Sequence, residues 1–161
     1  MVDDFRRKTI SVVCRFGLIH IASLGDWSLT CQNHDDNHWD VVEGQGSLFN
    51  PGYAGVSLGL LHGSQPDAIV VCHEAGLEEI GGWPGFPVPS VSECADRNLL
   101  EGRLTNENVQ WVGVCVNTSA LRSDERAPYL EALSAETGLP CVDPILNGCD
   151  AIVRAIQERC G

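Results

Sequence analysis

Short apolar runs, each closed by glycine, proline or polar residues, recur along this chain and limit the folds open to it. Four of them cover residues 40–42, 68–72, 111–116 and 141–143, and helix-like patterns lie between them. Runs of this length suit strands that are buried on both faces of a parallel sheet. Their alternation with helices predicts a three-layer α/β fold, with a mostly parallel sheet covered by helices and right-handed crossovers.

The first two helices are marked by small residues and by a capping signal. Residues 53–61 are apolar with glycines interspersed, and Gly63 is the predicted stop of this helix. Ser90 and Glu93 form a capping box, because each side chain can bond to the backbone N–H of the other residue. The helix that they open is predicted to end at Gly102.

Two further helices are predicted in the last forty residues. One follows Ser123, although Pro128 fits only the first turn or a kink, so the regular part is expected to begin there. Gly138 stops that helix. Asn147 is predicted to cap the last helix, whose apolar face runs to Ile156.

Polar side chains come at or directly after the ends of the predicted strands. Glu43 follows the first run, His73 and Glu74 follow the second, and Asn117 and Thr118 follow the third. Ligands bind at the carboxyl edge of open α/β sheets, so these residues predict a site there. Glu43 and His73 are the candidate general bases, and Glu43 is also a candidate metal ligand. The alternatives are a carboxylate that caps a turn, a histidine bonded to backbone and an asparagine in a turn.

Glycines surround the first strand end. Gly44 and Gly46 allow a sharp turn and a close approach of the backbone to a ligand, and Ser47 adds a hydroxyl. Residues 76–89 form a second glycine- and proline-rich segment, with Trp83 and Phe86 in it. Such a loop is either a lid over the site or a rigid surface loop held by its aromatic side chains.

Charge and cysteine usage limit the classes of partner. The formal net charge is −12 and Lys8 is the only lysine, which argues against nucleic acid or an anionic membrane as partner. The eight cysteines include no Cys-x-x-Cys pair, and Cys72 and Cys115 lie inside apolar strands. Buried thiols of this kind behave as small apolar side chains, which favours a reducing cytoplasm over disulfides or structural zinc.

Residues 1–38 are less regular than the rest, and we treat them as an unassigned segment ahead of a domain at residues 39–161. A charged stretch before residues 9–24 imitates an export signal, but Arg15 and His20 interrupt the apolar run, which is too short to span a bilayer. Residues 11–14 and 18–22 are the predicted strands of this segment.

Five motifs together closely resemble the C-terminal domain of the DgcN-like family, formerly a domain of unknown function, which includes D-glutamate N-acetyltransferases of D-amino acid catabolism. They read Trp-Asp-Val-Val-Glu-Gly-Gln-Gly-Ser-Leu-Phe-Asn-Pro from Trp39, Tyr-Ala-Gly-Val-Ser-Leu-Gly-Leu-Leu-His-Gly-Ser-Gln-Pro-Asp from Tyr53, Cys-His-Glu from Cys72, Val-Asn-Thr-Ser-Ala-Leu from Val116 and Thr-Gly-Leu-Pro-Cys-Val-Asp-Pro from Thr137. More distantly, the strand ends look like the P-loop fold of dethiobiotin synthetase.

The resemblance implies transfer of an acetyl group from acetyl-CoA to the amine of an acidic D-amino acid. It matches Glu43 to the acidic strand end that faces phosphates and metal in nucleotide-binding relatives. The resemblance and the positions of the strand ends together assign six residues to cofactor binding: Gly44, Gly46, Ser47, Asn117, Thr118 and Pro144. His62, His73 and Glu74 match the histidine-bearing motifs of the family. His62 and Glu74 are assigned to the substrate, and Arg103 is the candidate for holding the substrate carboxylates.

One departure from the family pattern qualifies this interpretation. No Gly-x-x-x-x-Gly-Lys-Thr-like phosphate loop occurs in the sequence, so the phosphate-loop strand and helix are expected to be missing. The isolated chain is then inactive or incomplete, and an unpaired sheet position favours a homo-oligomer. The alternative functions are an ATP-dependent ligase or phosphotransferase using ATP and Mg²⁺, and a non-catalytic remnant or assembly module.

Overall fold

The structure, a computed structural model, describes residues 8–14, 39–43 and 47–160. Five strands form one sheet in the order β2-β1-β3-β4-β5, and every neighbouring pair runs parallel. The strands are β1 (Lys8–Cys14), β2 (Trp39–Glu43), β3 (Ala68–Glu74), β4 (Gln110–Asn117) and β5 (Cys141–Val142). The predicted parallel sheet is therefore confirmed, and so are the four predicted strand positions from residue 40 onward.

Helices cover both faces of this sheet. They are α1 (Ala54–Ser64), α2 (Val91–Gly102), α3 (Ser123–Thr137), α4 (Pro144–Asn147) and α5 (Asp150–Cys160). The core splits into two clusters, one on each face. Leu61, Cys94 and Leu133 from α1, α2 and α3 pack against Val71 and Val114 on one face. This arrangement gives the three-layer α/β class that the sequence predicts.

The second face carries α5, which packs directly on the sheet. Ile152 and Ile156 contact the cluster that contains Val70 and Val112. Gly113 makes this approach close, because a Cβ added there would come within 2.3 Å of the Ile152 Cδ1 atom and 3.0 Å of the Pro140 carbonyl oxygen. The sequence Val-Gly-Val in β4 thus fits a helix lying flat on the strand.

The sequence predicts that one strand of the sheet is missing, and the interior of the observed sheet differs from this prediction. β1 lies between β2 and β3, with Ser11 opposite both Val42 and Ile69. The predicted strand at residues 11–14 is part of it, so the unassigned segment contributes to the same sheet. The sequence after β1 still contains no Gly-Lys-Thr. The predicted strand at 18–22 and the expected loss of a helix concern residues outside the described ranges.

Two helix boundaries differ from the sequence prediction. α1 runs past Gly63 and ends where Gln65 adopts a left-handed conformation, with φ of 46° and its N–H bonded to the Leu61 carbonyl. The predicted start of α3 at Ser123 is confirmed, and its regular part also begins there rather than at Pro128, because the Glu125 carboxylate accepts a hydrogen bond from the Arg122 N–H and closes the first turn. The capping box of Ser90 and Glu93 and the stop at Gly138 are confirmed.

Asn147 ends a short helix instead of opening the last one. Asp143 caps α4 by accepting hydrogen bonds from the Ile145 and Leu146 N–H groups, and Pro144 occupies the first helical position. Asp followed by Pro is a strong start signal and opens this separate short helix, so the last helix begins only at Asp150. Asn147 instead accepts a hydrogen bond from the Asp143 N–H. Among the described residues, no helix combines the length and apolarity needed to cross a membrane.

Candidate functional site

The carboxyl ends of β3 and β4 form the centre of the candidate site. Glu74 and Asn117 are register partners, and the Ala75 N–H donates to the Asn117 carbonyl at 3.0 Å. We call this part of the sheet, where Glu74, Asn117 and Asp143 lie, the carboxyl edge. The prediction that successive strands deliver polar residues to one edge is confirmed for β3, β4 and the residue after β5.

Glu43 lies apart from these residues. β2 is the edge strand, and Glu43 pairs with Val12, which in turn pairs with Val70. Glu43 is therefore level with Val70, roughly 13 Å short of Glu74 along the strands and about 10 Å across them at ordinary strand geometry. The expectation that Glu43 stands at the centre of the strand ends is corrected, because the register places β2 lower in the sheet. Its catalytic and metal-binding roles stay predictions.

Thr118 and Asp143 form a buried pair at the carboxyl edge. One Asp143 oxygen accepts hydrogen bonds from the Thr118 hydroxyl at 2.5 Å and from the Thr118 N–H at 3.1 Å. Both residues are almost fully buried, and the other oxygen caps α4. Burial acts to raise the pKa of Asp143, but the hydrogen bonds from Thr118, Ile145 and Leu146 outweigh it and lower the pKa below its ordinary value. The ionised pair fixes the ends of β4 and β5 relative to each other.

His73 is buried on the face covered by α3, one residue before the carboxyl edge. Its Nε2 atom lies 2.5 Å from the Tyr129 hydroxyl oxygen, and the two rings stack at 5.9 Å between centroids. His73 is 4% exposed, whereas Tyr129 is only half-buried. The hydrogen bond couples the buried imidazole to a side chain that is partly exposed, so the two groups can act together in proton transfer.

Asn117 is exposed at the end of β4. Its amide oxygen accepts a hydrogen bond from the Ser119 N–H at 3.0 Å, which is an Asx turn. The turn alternative that the sequence left open is thus present, and the amide NH₂ group remains to donate to a ligand. Glu74 lies beside it and is half-buried. The predicted cofactor role of Asn117 and substrate role of Glu74 are compatible with these positions and stay predictions.

The segment after β2 is held by local turns. The Ser47 hydroxyl accepts a hydrogen bond from the Phe49 N–H, and the Asn50 side chain accepts one from the Gly52 N–H. Ser47 is 2% exposed. Its hydroxyl serves this turn, and its predicted cofactor role stays untested. Gly44 and Gly46 lie outside the described residues.

The glycine- and proline-rich loop is a tight hairpin next to that turn. The Ile80 N–H bonds to the Phe86 carbonyl at 2.8 Å, and the rings of Trp83 and Phe86 meet edge to face at 6.1 Å. Trp83 also lies against Gly52, where an added Cβ would come within 2.9 Å of its ring. Of the two predicted alternatives, these contacts favour the rigid loop held by aromatic side chains.

His62 and Arg103 lie at the opposite edge of the sheet, where β3 and β4 begin, which we call the amino edge. His62 Nε2 is 3.1 Å from the Glu101 carbonyl oxygen, and Arg103 directly follows α2. Arg103 lines a shallow groove of about 370 Å³ together with Trp111 and Arg159. The structure therefore does not bring these two predicted substrate residues together with Glu74, because His62 lies in the last turn of crossover helix α1 and Arg103 directly follows crossover helix α2.

Two arginines near the carboxyl edge, among the residues that the structure describes, are already engaged. Arg122 forms ion pairs with Asp124 and Glu125, and Arg126 donates to the Ser119 and Leu121 carbonyls. Pro144 begins α4 beside Asp143. Across the ranges that the structure describes, no three His, Cys, Asp or Glu side chains meet as a metal site.

Two residues at this edge were not predicted from sequence as site residues. Tyr129 reaches His73 from a helix 56 residues away in the chain, and no local pattern signals such a contact. Asp143 falls at the end of a predicted strand, although Asp before Pro144 is a recognisable cap signal. That signal marks the position of the carboxylate but not its second contact with Thr118.

Comparisons with known proteins agree with this fold and these motifs. The model of the DUF1611 C-terminal P-loop domain, a domain of unknown function, matches residues 22–153. The chain is 47% identical over 119 residues to a D-glutamate N-acetyltransferase from Pseudoalteromonas sp, covering 74% of this chain and 36% of the relative. It is 42% identical over 124 residues to a D-glutamate N-acetyltransferase from Tritonibacter scottomollicae, covering 77% of this chain and 37% of the relative.

The chain thus spans little more than a third of the length of these curated relatives. A crystal structure of a DUF1611 family protein from Anabaena variabilis superposes with a TM-score of 0.74, over 94% of this chain and 57% of that chain, at 21% identity. This likeness shows the fold, and the family model confirms the resemblance stated from the motifs. The chain belongs to the DUF1611 family, and the region matched is its C-terminal P-loop domain.

Proposed function

We propose that the chain supplies the amine-binding and proton-accepting part of a D-glutamate N-acetyltransferase, which joins an acetyl group to the amine of D-glutamate. The observation that carries this proposal is the 42–47% identity to two relatives of that name. The carboxyl edge supports it, because a buried histidine paired with a half-buried tyrosine suits proton removal from an amine.

The amine of an amino acid must lose a proton before it can attack a carbonyl carbon. With His73 Nε2 unprotonated, the Tyr129 hydroxyl donates to it and its oxygen can accept the proton of an amine placed at the edge. We therefore favour His73 over Glu43 as the base, since Glu43 is level with Val70 rather than with Glu74. Asn117 offers an amide NH₂ group to a substrate carboxylate.

The acetyl donor implied by the family resemblance is acetyl-CoA, whose phosphates need cations or a cradle of backbone N–H groups. Arg122 and Arg126, the arginines described near the carboxyl edge, are paired with acidic side chains or with carbonyls, and the sequence has no Gly-Lys-Thr. The described residues do not fit the phosphate part of the donor. They account for the amine side of the reaction alone.

The pathway, the cellular location and the assembly that we propose follow from the same resemblance and from the composition. We place the protein in D-amino acid catabolism in the cytoplasm, acting on a small acidic amino acid, with homo-oligomers as its assembled form. The net charge of −12 makes nucleic acid and anionic membranes poor partners. The second candidate function is ATP-dependent ligation or phosphoryl transfer with Mg²⁺, which the P-loop description of the family favours.

Ligand-dependent protection of the full chain separates these two functions. D-glutamate, L-glutamate, acetyl-CoA and ATP with Mg²⁺ are compared in a thermal-unfolding assay. A ligand at 100 times its Kd stabilises the folded state by about 2.7 kcal/mol. We expect protection by D-glutamate and weaker or no protection by L-glutamate. Protection by ATP with Mg²⁺ and none by D-glutamate would favour the second function and overturn the first.

Formation of N-acetyl-D-glutamate by a complete enzyme that carries this domain, measured by mass spectrometry, tests the base. His73→Gln should lower the rate about 10²–10⁴-fold, the usual contribution of a positioned general base. His62→Gln is the matched control, because this histidine lies at the amino edge and should leave the rate unchanged. Glu43→Gln tests the competing assignment. A larger loss in Glu43→Gln than in His73→Gln would contradict the assignment of His73.

A further inference from the structure

Arg126 lies on α3 one helical turn before Tyr129, at the end of this helix that faces the carboxyl edge. Residues three apart on a helix share a face, with about 5–6 Å between their Cβ atoms. Tyr129 reaches His73 from that face. The Arg126 side chain reaches the loop that follows β4, where Nε donates to the Leu121 carbonyl at 3.1 Å and Nη2 to the Ser119 carbonyl at 3.5 Å. Arg126 thus joins the start of α3 to the loop at the carboxyl edge.

These two contacts leave the Arg126 guanidinium with an uncompensated charge. Both acceptors are neutral carbonyl oxygens, and none of the ion pairs within the described ranges involves Arg126. Neither contact uses Nη1, so its N–H donors remain for a ligand, and the side chain is only half-buried. Arg122 differs, because it is exposed and its charge is paired with Asp124 and Glu125.

We propose that Arg126 binds the side-chain carboxylate of the acidic amino acid and so selects a dicarboxylic substrate over its neutral analogues. The inference rests on the proposed function, in which the substrate amine lies at the Tyr129 hydroxyl. The side-chain carboxylate is the group of D-glutamate farthest from that amine. A cation one helical turn from Tyr129 fits this farther group, and the carboxylate next to the amine is left to the Asn117 amide.

Ser119 holds the two carboxylate-binding side chains in place relative to each other. Its N–H donates to the Asn117 amide oxygen at 3.0 Å, and its carbonyl accepts from Arg126 at 3.5 Å. The amide NH₂ group and the remaining guanidinium donors therefore belong to one hydrogen-bonded unit. Donors that are fixed before binding lose little conformational entropy when the ligand arrives, which favours a ligand with two carboxylates on a short carbon chain.

A local cation is needed because the protein as a whole repels a dicarboxylate. The formal net charge is −12, and Glu74 adds a carboxylate at the same edge. A guanidinium binds a carboxylate through parallel charge-assisted hydrogen bonds, which are stronger than neutral ones. Arg126 can serve one carboxylate in this way, whereas the several phosphates of the acetyl donor need more donors than it has left.

Isothermal titration calorimetry of the full chain with D-glutamate and with D-glutamine tests this assignment. D-glutamine replaces the side-chain carboxylate by a neutral amide of similar shape. We expect the unaltered chain to bind D-glutamate roughly 10–100-fold more tightly, the factor for hydrogen bonds to a charged group. Arg126→Gln should lower the affinity for D-glutamate by that factor and leave the affinity for D-glutamine unchanged, so that the preference disappears.

Arg122→Gln is the matched control and should keep the preference, because the charge of this arginine is already paired. An equal loss of both affinities in Arg126→Gln would mean that the side chain only holds the loop, and would overturn the inference. Equal binding of D-glutamate and D-glutamine by the unaltered chain would overturn it without any variant and leave the proposed function standing. Binding of neither amino acid would overturn the proposed function as well.

Discussion

The two edges of the sheet use the same residue types for different purposes. At the amino edge, His62 lies against the Glu101 carbonyl, and the Asn106 side chain donates to the Pro66 carbonyl at 2.9 Å. At the carboxyl edge, His73 pairs with the Tyr129 hydroxyl and Asp143 with the Thr118 hydroxyl. At the amino edge these two side chains satisfy backbone carbonyls where helices end and strands begin, whereas at the carboxyl edge His73 and Asp143 each bond to the hydroxyl group of another side chain.

This difference follows from the direction of the chain. In a parallel sheet every crossover helix returns to the amino edge, so that edge gathers helix ends whose carbonyls need partners. The carboxyl edge gathers strand ends, and residues there are free to carry chemistry. A histidine or an asparagine can therefore be assigned a role only after its edge is known.

The largest expected effect is at Asp143. Asp143→Ala removes an acceptor of four hydrogen bonds and leaves the buried Thr118 hydroxyl without its partner. We expect the free energy of unfolding in urea to fall by about 3 kcal/mol. Asp67→Ala at the amino edge is the control, with an expected loss of about 1 kcal/mol. Equal losses would mean that Asp143 contributes no more to the free energy of unfolding than Asp67 does.

Alanine substitutions of Asn106 and Asn117 directly compare what asparagine side chains at the two edges contribute to stability. Asn106 is buried and bonds to Pro66, Asp67 and Asn108, so Asn106→Ala should cost about 2 kcal/mol of unfolding free energy. Asn117 is exposed with one local bond, and Asn117→Ala should cost about 0.5 kcal/mol. Chemical denaturation of both variants checks the order. A larger cost for Asn117→Ala would reverse the roles assigned to the edges.

Tyr129→Phe removes the hydroxyl partner of His73 without changing the ring. The expected destabilisation is about 1 kcal/mol, because one hydrogen bond of a buried imidazole is lost. The imidazole nitrogen signal of His73 in NMR spectra should shift while that of His62 stays in place. An unchanged His73 signal would show that the pair is not formed in solution.

A smaller effect is expected on acid stability. The pKa of Asp143 is lower in the folded protein than in the unfolded chain, so its ionised form contributes stability above about pH 4. That contribution is lost as the pH falls through the lowered folded-state pKa. In Asp143→Asn the free energy of unfolding should fall less steeply as the pH is lowered. Urea unfolding from pH 6 to pH 2 measures this dependence. A limb of unchanged slope would contradict the lowered pKa.

Much of the fold could be predicted from periodicity. The apolar runs at residues 68–72 and 111–116 became the central strands β3 and β4, and the capping box placed the start of α2. Register could not be predicted, because it depends on how neighbouring strands slide against each other during packing. Glu43 shows the consequence, since its sequence context resembles that of Glu74 but its level in the sheet does not.

The sequence predicts where several candidate-site residues lie along the strands, but it does not predict their hydrogen-bond partners. The strand ends predict His73, Glu74, Asn117 and Thr118 as site residues, and all four lie at or next to the carboxyl edge. The role of Tyr129 and the Thr118–Asp143 hydrogen bond could not be predicted, because both depend on contacts between distant parts of the chain. A family motif indicates His62, and the need for a cation near the substrate carboxylates indicates Arg103, but neither indication contains the crossover that carries each residue to the other edge.

A backbone NMR titration with D-glutamate tests the central claim most directly, because it reports both edges in one experiment. The account predicts shifts in the amide signals of Glu74, Ala75, Thr118 and Ser119 at the carboxyl edge, with those of His62, Asn106 and Asn108 unchanged. Shifts confined to the amino-edge amides would contradict it.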